Sequence, residues 1–327
     1  MPIKDRAERA VEFLLAHGTL PILYWMKVDI LHVPADREGR NLEKYGVRVR
    51  ILESQRPDGS WEVNKKEVRG GREAEDPQAE TLKNMGRLYD FGCTLKHEEV
   101  QRGISYLFSA QRQEGDFRSH PSSEYSPVFH ALALEQLCRF GLDGDPRVQK
   151  GFHWVVKCRQ NDGGWAIPLR TVSQKKLKTQ LRSGDYSPWL PLQPDKKRPC
   201  SHLVTGLMLR ALAESPRWRN SPQAKTAGAL LINRFFSDDV YDDRRSCRYW
   251  EEIIYPFWAT NFLSALDALS KIGFRPSQGK IPKALGWLLR QQDPEGYWES
   301  AVPKASLEDH LWVTLAVLRI LKRFKLA

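Results

Sequence analysis

A short unit recurs along this chain, and it constrains the fold more than any other feature. QRPDGSW at 55–61, QRQEGDF at 111–117, QNDGGW at 160–165 and QDPEGYW at 292–298 share a Gln, a polar or acidic pair, a Gly and a terminal aromatic. The upstream segments RGISYLFSAQ (102–111), KGFHWVVKCRQ (150–160) and KALGWLLRQQ (283–292) repeat as well, with apolar residues at the spacing of one helix face. RAVEFLLAHG (9–18) and KTAGALLINRFF (225–236) are degenerate copies. Each unit can bury its apolar surface only when neighbours stack on it, so the repeat has to be read before any site.

The turn has a physical sense as a helix stop. Its Gly takes positive φ beyond the helix end, its acidic side chain bonds free amides, and its aromatic seals the gap to the next unit. Gln55, Trp61, Gln111, Phe117, Gln160, Trp165, Gln292 and Trp298 are therefore expected at outer-helix ends, touching neighbouring hairpins and specifying assembly. Between the turns lie six apolar segments that read as inner helices, 21–32, 77–91, 127–140, 200–213, 253–271 and 305–324. No strand-like alternation competes with them, and a ring closed about a common axis buries both helix layers. The expected fold is all-α, an (α/α)6 toroid of six helical hairpins formed by residues 1–327 as one domain. Long charged connections fall at 62–76 and 166–199, and the second, which carries Tyr186 and Trp189, reads equally as a cover over one end of the ring or as a floppy insertion.

Composition bounds function loosely. With 41% hydrophobic residues and 11 Trp in 327 residues the chain is folded and aromatic-rich. Its net charge of +11 fits an anionic partner as well as plain solubility. The basic residues are scattered and accompany no nucleic-acid motif, so nucleic acid is not an expected partner. Five cysteines without a CxxC pair, and an N-terminus without an apolar signal core, imply reduced thiols in the cytoplasm. No apolar run reaches the roughly 18 residues needed to span a bilayer; peripheral membrane contact and oligomeric state stay open.

The repeated turns resemble the QW motif of squalene-hopene and oxidosqualene cyclases, and the inner-outer alternation is similar to the β-subunits of protein prenyltransferases. This resemblance covers nearly the whole chain. It implies a terpene cyclase-like or prenyltransferase-like protein that holds a prenyl (di)phosphate, a polyprenyl chain or another lipid-like small molecule in a central aromatic-lined cavity. Class II cyclases donate a proton from a DxDD motif at the start of the final inner helix. Phased by LAVLRIL (315–321), those positions are Leu307, Glu308, Asp309 and His310, which makes Asp309 the candidate acid. Protein prenyltransferases hold zinc with Asp, Cys and His. His310 falls on the His, and YPFW (255–258) keeps the aromatics after the Asp-x-Cys, but Glu252 and Ile254 occupy the other metal positions. Zinc is therefore not expected, Mg²⁺ stays open, and the acidic run DDVYDD (238–243) reads mainly as turn chemistry.

Candidate catalytic residues are thus Asp309, His310 and Glu252. For substrate binding, aromatics on inner helices offer π-faces and apolar walls: Tyr255, Trp258, Phe129, Tyr24 and Trp25. His130 and His202 lie on inner helices as well, where a lone His is more often a satisfied core residue. Arg245 and Arg248, just upstream of YPFW, suit a diphosphate through their planar forks. Two other functions compete: a non-catalytic toroid binding a lipid or protein partner, and a carbohydrate-active (α/α)6 enzyme with Glu252 and Asp309 as its carboxylates. The cavity discriminates. A closed apolar chamber favours an isoprenoid, and an open groove with two carboxylates roughly 5–10 Å apart favours a glycoside.

Overall fold

The structure, a computed structural model, describes residues 1–62, 77–118, 125–172, 194–241 and 246–327. Among the described residues six outer helices, α1 (Ile3–His17), α4 (Gly46–Glu53), α6 (Glu98–Ser109), α8 (Pro146–Lys157), α11 (Pro222–Arg234) and α13 (Ile281–Arg290), alternate with six inner ones. The inner helices are α2 (Leu20–Trp25, running on as a π-helix, Met26–Leu31), α5 (Pro77–Asp90), α7 (Pro127–Arg139), α10 (His202–Glu214), α12 (Phe262–Ile272) and α14 (Leu307–Arg323). Two short helices, α3 (Asp36–Leu42) and α9 (Pro168–Thr171), sit in connections.

Consecutive inner helices pack side by side from α5 to α14, and α14 packs in turn on the π-helix and on α1, so the first and last hairpins meet and the ring closes. This is the all-α (α/α) toroid that the repeat predicts. Apolar side chains from every hairpin merge into one buried cluster. Among the described residues no helix is long and apolar enough to cross a membrane.

The repeated turns are the clasps of this ring. In three of them the Gln Nε2 bonds its own turn and the next outer helix: Gln55 to the carbonyls of Gly59 and Glu99, Gln111 to those of Gly115 and Arg147, and Gln292 to those of Gly296 and Arg6. Gly115 shows why no other residue serves, since its φ is +103° and a Cβ would lie 2.5 Å from the carbonyl oxygen of Lys150. The Trp ring fills the space behind. Trp61, Trp165 and Trp298 are 1%, 1% and 0% exposed, and each indole N–H donates at 2.7 Å to a carbonyl of its own outer helix.

Each turn is also tied to its inner helix. The amides of Trp61, Trp165 and Trp298 donate to the hydroxyls of Thr81, Thr205 and Thr314, and that of Phe117 donates to His130 Nδ1. The Thr-or-His anchor is a second repeat, spread over inner helices and invisible to a reading of the turns alone.

Two expectations need correction. In the third turn, Arg159, not Gln160, stands six residues before the Trp, as Gln55 does before Trp61, and the backbone bond from Gln160 to Gly164 matches that from Arg56 to Ser60. Gln160 instead reaches the carbonyls of Asp195 and Arg198 in the connection. The fifth inner helix does not begin at 253. Pro256 lacks an amide proton and bars helix for the residue before it, so α12 starts at a capping box formed by Asn261 and Ser264. YPFW is a loop crossing one end of the ring. Within DDVYDD, Asp239 does turn work, accepting from the first amide of α10 at 2.6 Å; residues 242 and 243 fall outside the described residues, as do Tyr186 and Trp189.

Candidate functional site

The inner helices converge at their C-terminal halves on a chamber of about 570 Å³. Along α7 its wall runs from Leu132 through Glu135 to Arg139, and along α14 from Ala316 through Arg319 to Arg323. These steps of three and four residues keep one helix face on the chamber, and the wall changes from apolar to charged along them. Trp25, Tyr89, Tyr255, Phe257 and Trp258 supply an aromatic side.

The charges form a belt in which each inner helix holds the next. Asp90 of α5 accepts from Arg139 of α7 at 2.7 Å, and Glu135 of α7 accepts from Arg210 of α10 at 2.6 Å. Glu214 of α10 meets Lys271 of α12, and Asp267 of α12 meets Arg323 of α14. Arg319 of α14 grips Asp29 of the π-helix at 2.7 Å. The circuit closes through Trp25, whose indole N–H donates to the backbone carbonyl of Asp90 at 2.7 Å. Asp90 also takes the Tyr255 hydroxyl at 2.9 Å, which pins the YPFW loop to the belt.

This electrostatic arrangement fixes protonation. Burial pushes the Asp267 carboxyl up, but Lys271 and Arg323 outweigh burial and hold it well below the usual carboxylate range. Glu214 behaves likewise, with Lys271 outweighing burial. Burial lowers Lys271, and the same two carboxylates more than restore it. Burial, reinforced by Asp90, raises the Tyr255 hydroxyl, so it stays protonated as a donor. Glu214 and Asp267 are thus ionised partners of cations and not proton donors, the opposite of what an acid-initiated cyclisation or a glycosidase acid requires.

A belt of buried ion pairs is a poor way to gain stability, because desolvation offsets much of the attraction and apolar packing would serve as well or better. The belt's five cations match its five carboxylates, but the chamber lining counts seven basic side chains, Lys83, Lys322 and the five belt cations, against Asp29, Glu135, Glu214 and Asp267, with Lys83 paired to Glu80 and Arg139 to Asp90 outside that lining. Part of that surplus answers the negative ends of the converging helices. Lys322 bonds the carbonyl of Ile30 and has no carboxylate within salt-bridge distance among the described residues.

The residues expected from sequence divide between the two ends of the ring. Trp25, Tyr255 and Trp258 line the chamber, and Trp258 is 39% exposed at its mouth. Asp309 and His310 begin α14, at the opposite end of that helix from Arg319 and Arg323. There Asp309 closes a capping box with Ser306 at 2.7 Å, while His310 Nδ1 accepts the Ser300 amide at 2.9 Å. His130 is buried with both ring nitrogens bonded, Nδ1 to Phe117 and Nε2 to the Gly151 carbonyl, and burial pushes it down to about 3. His202 is pushed down to about 4 by burial and bonds the Tyr249 hydroxyl. Phe129 is core, Tyr24 packs edge-on to Trp25, and Arg248 and Glu252 are exposed. None of these last four lines the chamber. Arg245 falls outside the described residues.

The belt itself was the missed feature, although a signal exists. Four inner helices with largely apolar buried faces each carry a charged pair at i, i+4: Glu135 and Arg139, Arg210 and Glu214, Asp267 and Lys271, Arg319 and Arg323. Charges repeated on the buried face of successive inner helices can only meet inside a ring. Among the described residues no group of three His, Cys, Asp or Glu side chains is placed to hold a metal ion.

No protein-family model matches this chain, and no curated protein matches it in sequence. Among solved structures it is similar to a protein from Actinoplanes, at 16% identity over 99% of both chains with a TM-score of 0.51. It is also similar to the type II terpene cyclase MstE from Scytonema, at 14% identity over 88% of this chain and 99% of that one with a TM-score of 0.34. A glycosidase aligns at 12% identity over 90% of this chain and 99% of that one with a TM-score of 0.30. The first likeness speaks to the fold alone, and the other two are too distant to add to it.

Proposed function

We propose that the toroid binds a small anionic amphiphile of the prenyl (di)phosphate kind, with the head group on the cationic side of the chamber and the apolar part against its aromatic side. One observation carries this reading: a chamber of about 570 Å³ combines a surplus of basic side chains with Trp25, Tyr89, Tyr255 and Phe257. Aromatic walls accept apolar chains, and a few convergent charges orient a ligand inside such a pocket. Guanidinium and ammonium groups in a partly dry site bind phosphate oxygens through charge-assisted hydrogen bonds. The role is binding and not acid-initiated cyclisation, because Glu214 and Asp267 are committed to cations.

Calorimetric titration of farnesyl diphosphate, farnesol and inorganic diphosphate tests the proposal. Farnesyl diphosphate is expected to bind more tightly than either part alone. Lys322→Ala removes the chamber cation that no carboxylate holds, and should weaken farnesyl diphosphate about tenfold, or about 1.4 kcal/mol. Farnesol binding as tightly as its diphosphate, or no binding by any of the three, would overturn the reading.

A further inference from the structure

In a wall where every charged group but Lys322 has an ion-pair partner, the carboxamide of Gln136 is uncommitted among the described residues. Gln136 is 6% exposed and lines the chamber beside Glu135, yet its carboxamide makes no hydrogen bond among the described residues, and its Oε1 is buried without a partner. Buried polar groups are normally satisfied, and each exception calls for an explanation. Across from it on α5 stands Gly86, also lining the chamber, whose missing Cβ would lie 3.4 Å from Gln136 Nε2. A glycine in mid-helix is destabilising relative to alanine, so Gly86 spends helix stability to leave room beside that carboxamide. The two ends of a Gln side chain interchange by a half-turn, which lets it offer either a donor or an acceptor.

We infer that Gln136, in the space left by Gly86, is a specificity-determining subsite that hydrogen-bonds an uncharged hydroxyl or carbonyl group of the chamber's ligand. The inference rests on the chamber being a ligand site and adds a requirement to it: the occupant carries a neutral hydroxyl or carbonyl besides its anionic group and its apolar part, which an unmodified prenyl diphosphate lacks. The flanking charges set the anion, and the carboxamide reads its neighbour.

Matched probes separate these requirements. Glycerol 3-phosphate and n-propyl phosphate share the anion and differ in hydroxyls, and myo-inositol has hydroxyls without the anion. Glycerol 3-phosphate should bind wild-type protein about fivefold more tightly than propyl phosphate, the worth of one neutral hydrogen bond. That ratio should fall to about one in Gln136→Met and in Gly86→Ala, with the Gly86→Ala melting temperature unchanged or raised, a split that a purely structural glycine does not give. Equal binding of the two phosphates to wild type, or a ratio that survives in Gln136→Met, overturns the subsite and leaves the anionic reading standing. Binding of myo-inositol that depends on Gln136 while neither phosphate binds upholds the subsite and overturns the anionic reading. Binding by none of the three overturns the subsite, and the farnesyl diphosphate titration then decides the anionic reading by itself.

Discussion

Replacing Trp298 by alanine tests the clasp at the place where the ring closes. The indole is fully buried and donates to Leu288, while its backbone amide is held by Thr314. Removing a buried Trp gives up roughly 150–250 Å² of contact, which at about 25 cal/mol per Å² amounts to ~4–6 kcal/mol. Core Trp truncations cost about 3–5 kcal/mol once the site relaxes, so about 4 kcal/mol is expected. With an unfolding entropy of roughly 2.1 cal/mol/K per residue, that corresponds to a fall in Tm of about 6 °C for a chain of 327 residues. Urea denaturation should place Trp298→Phe between the two, about 1–2 kcal/mol down, since it loses the N–H bond but keeps much of the packing. Trp258→Ala is the control. At 39% exposure in the chamber mouth it should cost under about 1 kcal/mol. A Trp298→Ala protein within about 0.5 kcal/mol of wild type would refute the clasp.

Other perturbations reach other parts of the ring. His130 and His202 are held neutral by burial, down to about 3 and about 4, whereas the unfolded chain takes those protons near pH 6.5; their contribution is present above that pH and declines as pH falls toward 4. His130→Thr, which installs the anchor used in three other hairpins, should flatten this slope in urea midpoints measured from pH 7 to 4, and an unchanged slope would count against it. Asp267 has a depressed carboxyl, so its stabilisation is present above an unfolded value of about 3.9 and lost as pH drops below it. Asp267→Asn should therefore lose about 3 kcal/mol at pH 7 by stranding buried cations, with the gap to wild type closing toward pH 2. Gly115→Ala meets both strain and the Lys150 carbonyl and should cost about 3 kcal/mol, whereas Gly141→Ala, at φ +84° with open space around it, should cost about 1 kcal/mol. Elemental analysis should find less than one zinc per chain, and one tightly held equivalent would reverse that expectation.

The ring was legible because its information is local. Gln55 to Trp61 is a complete turn within seven residues, with the Gly, the carboxylate and the aromatic all in one window, and the apolar stripes of the inner helices follow a single period. Legibility failed where one residue shifts meaning. In the third turn Gln160 looked like the clasp because it is a Gln, but distance from Trp165 and not residue type sets the register. Tyr255 and Trp258, expected on an inner helix, line the chamber from a loop, because Pro256 forbids a helix there. The charged end of the ring was harder to read, because Glu135 finds Arg210 and Asp90 finds Arg139 only after three inner helices are arranged in space. Asp309 and His310 drew attention by their place in a motif, and in the structure they close a helix start and anchor a turn.

The ring is held by two hoops of different chemistry. The outer one, made of Gln55, Gln111 and Gln292 on backbone carbonyls, contains nothing that titrates, while the inner one is five ion pairs and an indole bond. Acid therefore acts on them separately. At a pH far enough below the usual carboxylate range for Asp267 and Glu214 to take up protons, the cations they hold repel one another, yet the carboxamide clasps are untouched. The state this produces is an unlatched wheel: the rim stays intact and helical while the hub loosens around the chamber, so tryptophan fluorescence from Trp25 and Trp258 should change at a higher pH than the far-ultraviolet helix signal.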